Sequence, residues 1–585
     1  MTIKERLAAL RTAMKEAGIA AWIVPGTDPH MNEYLPKYWA ERRFISGFTG
    51  SAGKVLITQD MAGLWTDGRY FIQAAEQLQE GGLQLFKEKI AGTPSISEYL
   101  NDKLEKGDKV GINGLIVAES MALALQDDFK GLELVTELDL LAKVWTDRPS
   151  LSDEPLFTLP ASITGESTAS KLTRMRKSMG EADAVLVNML DEIAWLYNVR
   201  GADVKCNPVV MSYAWVEKDM AFLFVDETKI SDDDRVVLEE DGINIFPYDA
   251  IITMLPDLSE GKTVLTDFTK SNHAIVAAMP QARVINTPSW IALQKAQKNE
   301  VELAGTRRAM VKDGVALTQF FMWLEQTLAH STLTEYEIGL ELNNFRAKQE
   351  GYVGESFDPI VGYRSNGAIT HYSAPKVGCL DVKAEGILLL DSGGQYKHGT
   401  TDITRTVALG PVSDDMKRDF TLVLKGHIAL GLAKFPQGTR GSQLDVLARM
   451  ALWNETKDYQ HGTGHGVGHF LNVHEGPQNI RKDENMTPLL KGMIISNEPG
   501  FYLEGQYGIR IENLITVQED KNDFLSFENL TLCPIDKRVV DATLLSTSEK
   551  EWLNAYHQNV FEQLSPLLNE EENEWLREKT LPILA

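Results

Sequence analysis

In the opening stretch "MTIKERLAALRTAMKEAG" apolar residues alternate with charged ones at helical spacing, which predicts an amphipathic helix. Thr2 and Glu5 fit a capping box at its start, and Gly18 marks its end. A short β-branched run from Ile19 to Val24 follows, then a turn and an Asp/Glu-containing segment. The same order returns in "KLTRMRKSMGEADAVLVNMLDEIAWLY", beginning at Lys171, with Ala184 to Val187 as the strand-like run. The first copy leads on through "FISGFTGS" and the second through "NVRGADV". This self-similarity predicts a duplicated α/β domain.

A polar, proline-containing stretch, "WTDRPSLSDEP" from Trp145 to Pro155, reads as the linker that ends the first copy. The second ends near "NTPSWIALQKAQKNEVE", after which a long helical pattern begins at about Glu300. Beyond it helical stretches alternate with the strand-like runs "GILLLDSG", "ITRTVAL", "GMIISNEP" and "YGIRIENLITV", the pattern of an α+β domain. The tail from Thr547 reads as helix, with Ser548 and Glu551 as its capping box. The expected domains are therefore residues 1–155, 156–299 and 300–585. A chain of 585 residues suits such a division, since domains average roughly 150 residues.

Composition removes several function classes. Hydrophobic residues make up 43% and charged residues 24%, an ordinary globular balance. With 58 Lys+Arg against 83 Asp+Glu the net charge is −25, which argues against nucleic acid or an anionic membrane as the main partner. Cys206, Cys379 and Cys533 are far apart and form no CxxC pair, so a disulfide framework or thiolate zinc site is not expected; three reduced, mostly buried thiols are. The charged N-terminus is no signal peptide, and no apolar run approaches the ~20 residues of a membrane helix. A cytoplasmic protein is expected.

Candidate chemistry gathers in the last domain. Asp391 ends an apolar strand in "LLLDSGGQYKHGTTDITRTV" and Asp402 begins the next, and the turn-rich residues between them predict an antiparallel hairpin. Either Asp alone would read as a turn cap. Glu498 directly follows the apolar run of "GMIISNEPGFY", and Glu512 is expected inside the strand "YGIRIENLITV", pointing the same way as Arg510 by period-two alternation. An acid inside an apolar strand is costly unless it is paired or binds metal. Four converging carboxylates would repel one another and take up protons, whereas two divalent cations balance them. Carboxylate oxygens with one imidazole suit Mn2+, and less firmly Zn2+, Co2+ or Fe2+. The stretch "HGTGHGVGHFLNVHEGP", residues 461–477, supplies His461, His465, His469 and His474. It contains neither GxGxxG nor GxxxxGK[ST], and its glycines disfavour the helix that an HExxH-like pair needs.

The ordered set Asp391, Asp402, His465, Glu498 and Glu512 resembles the dinuclear site of the pita-bread metallopeptidases, which include methionine aminopeptidases, prolidases and aminopeptidase P. "THYSAP", "DITRTV", "GHGVG", "NVHEGP", "SNEPG" and "GIRIEN" are similar to the aminopeptidase P group. "SGFTGSAG", "WTDGRYF", "WTDRP" and "LDEIAWLYNVRG" extend the likeness to its long, three-domain, cytosolic form. The resemblance implies two creatinase-like α/β domains, then a pita-bread catalytic domain and a homodimer formed through it. It implies an enzyme that removes the residue preceding a proline in second position, with a water activated by two metal ions. Asp402 and Glu512 would bridge the metals, with Asp391 on one and His465 and Glu498 on the other. Glu498 would also be the general base. His371 and His461 would contact the substrate near the scissile carbonyl, and His474 and Tyr502 would form the proline pocket. Arg510 would support the metal site, and Glu33 and Arg69 would reach the active site from another domain. His469 departs from the family pattern and is expected at the surface or tuning a neighbouring ligand, while His398 and His427 are expected in solvent or a hairpin. A prolidase acting on dipeptides, a non-catalytic pita-bread binding module and a metal-free creatinase-like hydrolase are the alternatives. The chain's length speaks against the first, and the intact ligand set against the other two.

Overall fold

The first helix forms where its capping signal places it. It spans Ile3–Glu16, the Thr2 side chain accepts from the Glu5 N–H, and the Glu5 carboxylate accepts from the Thr2 N–H. The computed structural model describes residues 1–583 and divides into two units. One comprises Met1–Ala161 with Glu166–Ile291, and the other Ser162–Gly165 with the chain from Ala292 onward.

The first unit contains two six-stranded sheets. One is built from β1 (Ala21–Val24), β2 (Lys54–Thr58), β3 (Ala62–Thr66), β4 (Gln84–Lys87), β5 (Lys109–Ile112) and β6 (Glu133–Val135), in the order β4-β3-β2-β1-β5-β6. The other uses β7 (Ala184–Val187), β8 (Ser212–Glu217), β9 (Ala221–Val225), β10 (Ile243–Pro247), β11 (Thr263–Thr266) and β12 (Arg283–Asn286), in the order β10-β9-β8-β7-β11-β12. Strand for strand the orders coincide, and so do the directions. β1 and β7 each pair antiparallel with the next strand and parallel with β5 and β11. The duplication expected from the helix–strand repeat is thus present in three dimensions. β1 and β7 read as unbroken apolar runs because each is a central strand with both faces covered. Leu7, Leu10 and Met14 of the first helix pack on Trp22, Val24 and Ile57, while Ile23, Leu56 and Trp65 face Leu100 and Leu125 on the other side.

A buried polar seam joins the two halves of this unit. The His30 ring donates from Nδ1 to the Asn188 carbonyl (2.7 Å) and accepts at Nε2 from the Tyr248 hydroxyl (2.8 Å). Burial pushes its pKa down to about 3, so the ring is neutral and can keep both roles. Asn188 and Asn272 both donate to the Pro29 carbonyl.

The second unit begins its long helix, Glu300–Leu328, behind an Asn299 and Glu302 capping box. Ile387–Ser392 and Ile403–Ala408 form the expected antiparallel hairpin, with Asp391 opposite Thr404. A six-stranded antiparallel sheet orders Lys434–Pro436, Phe524–Asn529, Asn513–Glu519, Ile494–Asn497, Gly464–Gly466 and Glu475–Ile480. Helices Asp414–Gly431 and Gly441–Trp453 pack on each other, and the latter also packs on strand Glu475–Ile480.

Two expectations are corrected. "YGIRIENLITV" is not one strand: Tyr507–Arg510 pairs with Gly500–Leu503 in a two-stranded ribbon, and Asn513–Glu519 belongs to the large sheet. Glu512 sits in the two-residue jog between them, because Ile511 and Glu512 turn their N–H groups to Pro499 and Thr404 instead. The C-terminal capping box is Ser546 with Glu549 rather than Ser548 with Glu551, so its helix spans Thr547–Leu564. No disulfide joins the three cysteines; Cys533 is buried, whereas Cys206 and Cys379 are only half-buried. Among the described residues no helix is long and apolar enough to cross a membrane.

One buried charge cluster anchors the start of strand Glu475–Ile480, directly after His474. Glu475 accepts from Lys295 (2.5 Å) and from Lys298, and all three side chains are enclosed. Removing one member leaves uncompensated charge in a low dielectric. Glu475→Gln is therefore expected to destabilise the second unit by about 3–5 kcal/mol in thermal or denaturant unfolding, the cost typical of breaking a buried pair; an unchanged midpoint would contradict this assignment.

Candidate active site

Strand ends deliver the chemistry. Asp391 lies at the end of strand Ile387–Ser392, and Asp402 immediately precedes Ile403–Ala408. Glu498 immediately follows Ile494–Asn497, His465 is the middle residue of Gly464–Gly466, and Glu512 occupies the jog. Gly464 is required here: a Cβ on it would come within 2.0 Å of the Ser496 carbonyl oxygen of the adjoining strand. The glycines of this stretch thus let one strand press against the next, and hold no helix.

Asp402, His465 and Glu512 each offer a ligand atom within 4.8 Å of the other two. His465 Nε2 stands 3.3 Å from Asp402 Oδ2 and 3.6 Å from Glu498 Oε1. Its Nδ1 hydrogen bonds the Gly466 carbonyl (2.9 Å), which turns Nε2 toward the carboxylates, as a metal-ligating imidazole requires. Asp391 is tied to Arg510, whose Nη2 and Nε donate to Oδ2 at 2.6 and 3.2 Å. Its other oxygen, Oδ1, is buried and has no hydrogen-bond partner among the described residues. The Thr404 hydroxyl donates to Glu512 (2.8 Å) and accepts from Arg510 (3.1 Å).

The electrostatics expose a shortage of positive charge. Burial pushes the Glu512 carboxyl well above its usual range, reinforced by the charges of Asp402, Asp391 and Glu498. Glu498 is also raised by burial, against the pull of His465 and Arg510. Burial, opposed by Arg510 and reinforced by Asp402 and Glu498, raises Asp391 to about 6. Burial disfavours the charged form of His465, but Asp402 and Glu498 outweigh it and bring the ring up to about 9. Acids whose ionisation is disfavoured by burial and by one another, beside an unpartnered carboxylate oxygen, are what a divalent cation would ionise and occupy. An oxygen-rich donor set with one imidazole suits such a cation.

Exposure separates two layers. Asp391, Asp402 and Glu512 are buried, whereas Glu498, His465, His371, His474 and Tyr502 are half-buried and open toward solvent. The His461 ring bonds the Gly462 carbonyl through Nδ1 (2.7 Å), leaving Nε2 to accept from the Tyr502 hydroxyl (2.8 Å). That hydroxyl in turn accepts from Arg510 (2.5 Å). Burial, aided by the Arg510 charge, holds the His461 pKa well below normal, and His371 lies near enough to add to the effect. The His474 ring sits edge-on to His465 with centroids 4.3 Å apart.

Other candidate residues fall elsewhere. His469 is buried, not at the surface; its ring packs beside Gly305 and Thr306 of the long helix. His427 is also fully buried, with Nδ1 3.1 Å from the Asn497 carbonyl directly before Glu498. His398 lies, half-buried, in the hairpin turn. Glu33 and Arg69 belong to the first unit, where Glu33 accepts from Ser51 (3.0 Å) and Arg69 pairs with Asp67 (2.7 Å). Sequence reading missed Thr404, which leaves no signal of its own. It also missed Arg405, which donates to the Glu512 carbonyl (2.6 Å), the Cys533 carbonyl and the Tyr556 hydroxyl. A cation inside "ITRTVA" was the available clue, by the reasoning already applied to acids in apolar strands.

The described geometry agrees with comparisons to known proteins. The model of metallopeptidase family M24 matches residues 304–519, and that of the C-terminal region of peptidase M24 matches 523–583. The creatinase/prolidase N-terminal domain matches twice, over residues 6–144 and 147–302. A probable Xaa-Pro aminopeptidase P from Laccaria bicolor is 42% identical over 99% of this chain and 93% of its own length. Aminopeptidase P2 from Arabidopsis thaliana is 40% identical over 100% of this chain and 89% of its own. The crystal structure of X-prolyl aminopeptidase from Caenorhabditis elegans, a cytosolic enzyme with a di-nuclear active site, superposes with a TM-score of 0.95 at 35% identity, covering 100% of both chains. Two creatinase-like N-terminal domains followed by a peptidase M24 domain and its C-terminal region make this chain a member of the aminopeptidase P group of metallopeptidase family M24.

Proposed function

We propose that this chain is a metal-dependent, cytosolic Xaa-Pro aminopeptidase that hydrolyses the bond between the first residue of a peptide and a proline in second position. The observation that carries this reading is the convergence of Asp402, His465 and Glu512, flanked by Asp391 and Glu498, in a chain similar throughout to X-prolyl aminopeptidases. The site would hold two divalent cations, with Mn2+ as the reading and Zn2+ or Co2+ as substitutes. Asp402 and Glu512 would be shared between them, Asp391 would serve one, and His465 and Glu498 the other. When bound, the cations supply an electrophile for the peptide carbonyl and lower the pKa of the attacking water.

The chain's own groups supply the remainder. Glu498, half-buried and raised in pKa, takes the proton of the attacking water and passes it to the leaving proline nitrogen. His371 and His461 bind the substrate beside the scissile carbonyl; His461, kept neutral and with Nδ1 committed to Gly462, presents its other edge toward Tyr502. His474 and Tyr502 line the pocket for the proline ring. Such a pocket matters because a bond preceding proline has no N–H for a protease to recognise. Arg510 fixes the Asp391 carboxylate that serves the cation. A homodimer through the C-terminal domain completes the reading.

Three measurements test it. With Mn2+ present, tripeptides Xaa-Pro-Yaa are expected to be cut at least about 100-fold faster than Xaa-Ala-Yaa, the scale of discrimination a fitted pocket gives. Rapid cutting of Xaa-Pro dipeptides alone would indicate a prolidase instead. Chelation is expected to abolish turnover, calorimetric titration to return two Mn2+ per chain, and metal-independent activity to refute the mechanism. Glu498→Gln is expected to lower kcat by about 10²–10⁴-fold, the usual contribution of a positioned acid–base group, with melting of the folded chain retained.

A further inference from the structure

Arg449 and Asp445 lie one turn apart on helix Gly441–Trp453 and have no part in the roles above. Both are buried, Arg449 at 0% exposure and Asp445 at 2%. They pair through two hydrogen bonds, Nε to Oδ2 at 2.6 Å and Nη2 to Oδ1 at 3.2 Å. A pair this deep forfeits hydration that its mutual attraction only partly restores, so the rest of its hydrogen bonding shows what the arrangement achieves.

Every other donor of the guanidinium goes to the segment that carries His461. Nη1 donates to the Tyr459 carbonyl (2.7 Å) and to Asp458 (2.9 Å), and Nη2 donates to the His461 carbonyl (2.9 Å). The same guanidinium lies 3.8 Å from the centroid of the Tyr459 ring, whose other neighbour is the His461 ring, with centroids 4.8 Å apart. Arg449 thus holds His461 twice, through its backbone and through the ring of Tyr459, which lies tilted at 37° against it. Asp445 completes a second arm. It accepts from the Thr463 hydroxyl (2.6 Å), which also receives a hydrogen bond from Tyr459 (2.5 Å), and the Thr463 carbonyl accepts the N–H of Glu498 (2.8 Å).

We propose that Arg449 is a positioning residue for His461 and that, with Asp445 and Thr463, it sets the spacing between His461 and Glu498. This rests on the assignment of His461 to the substrate and Glu498 to proton transfer. The flat fork of an arginine is needed, because one edge engages a carboxylate while the other spans two carbonyls. A lysine offers a point charge and cannot span both. Misplacing a catalytic group by about 1 Å is enough to cost on the order of 100-fold in rate.

The test compares Arg449→Lys, His461→Ala and the double variant on an Xaa-Pro-Yaa tripeptide at saturating Mn2+. Arg449→Lys is expected to lower kcat by about 10- to 100-fold with KM changed less than about threefold, while the double variant falls no further than His461→Ala alone. Multiplicative losses in the double variant, or a full kcat in Arg449→Lys, would overturn the proposal. Tyr459→Leu removes the intervening ring and its hydrogen bond to Thr463 without touching charge. It is expected to give a smaller loss, again absent in the His461→Ala background, and it keeps the test decisive if Arg449→Lys does not fold. Histidine-selective 15N–1H spectra of the full chain give a readout independent of turnover. The His461 ring signals, identified by their disappearance in His461→Ala, are expected to shift in Arg449→Lys and in Tyr459→Leu, and unshifted signals would refute the proposal. If the wild-type chain cleaves no Xaa-Pro peptide, the functional assignment fails, and these spectra still decide whether Arg449 positions His461.

Discussion

Four carboxylates gathered with too little positive charge, three of them buried, are the constraint on which the second unit is built. Arg510 pairs with Asp391 and pulls on Glu498, and His465 answers Asp402 and Glu498, so Glu512 is left with a threonine hydroxyl and the repulsion of its neighbours. Such an arrangement is unfavourable to the folded chain by itself and would become favourable with divalent cations bound. The scaffold therefore has to be secured by other means, and it is. Strand pairing fixes Asp391 against Thr404, Arg405 bonds the backbone at Glu512, and apolar residues such as Ile494, Leu514 and Val467 pack beneath.

A second theme is the use of buried ion pairs away from the four carboxylates. Glu475 with two lysines and Asp445 with Arg449 each sit beside a histidine of the 461–477 stretch. That stretch is rich in glycine and has little side-chain bulk with which to hold itself. Directional bonds from neighbouring helices and strands do the holding instead. The first unit solves a related problem with neutral groups: the seam at His30, Asn188 and Tyr248 is polar, fully paired and uncharged.

Much of this was legible in the sequence where one local rule decided the outcome. The Thr2 box, the helix starting at Glu300, the repeat of helix and strand, and the hairpin between Asp391 and Asp402 all follow from spacing and turn chemistry. Glu512 stands out because an acid in an apolar run is anomalous, yet its position in a jog does not, since the alternation of "YGIRIENLITV" inverts only at Asn513 and Leu514 and resumes at Ile515 and Val517 while the backbone changes partners. His427 and His469 were misjudged for a related reason. A lone histidine on a helix or in a loop carries no sign of burial, which depends on what packs over it from far along the chain. Arg449 reads as an ordinary surface cation four residues after an acid, and only the structure shows that both are enclosed.

The jog at Ile511 and Glu512 bears on how this chain can tolerate changes of length. One residue added or lost there would shift either Arg510 out of register with Gly500 or Asn513 out of register with Asn497, and neither sheet could absorb the change without reversing its faces. The exposed turn at Glu504, Gly505 and Gln506, a few residues earlier, is under no such restriction. Between Gly500 and Glu519, insertions and deletions that preserve the fold are therefore confined to that turn, and the interval from Tyr507 to Glu519 behaves as a ruler of fixed length.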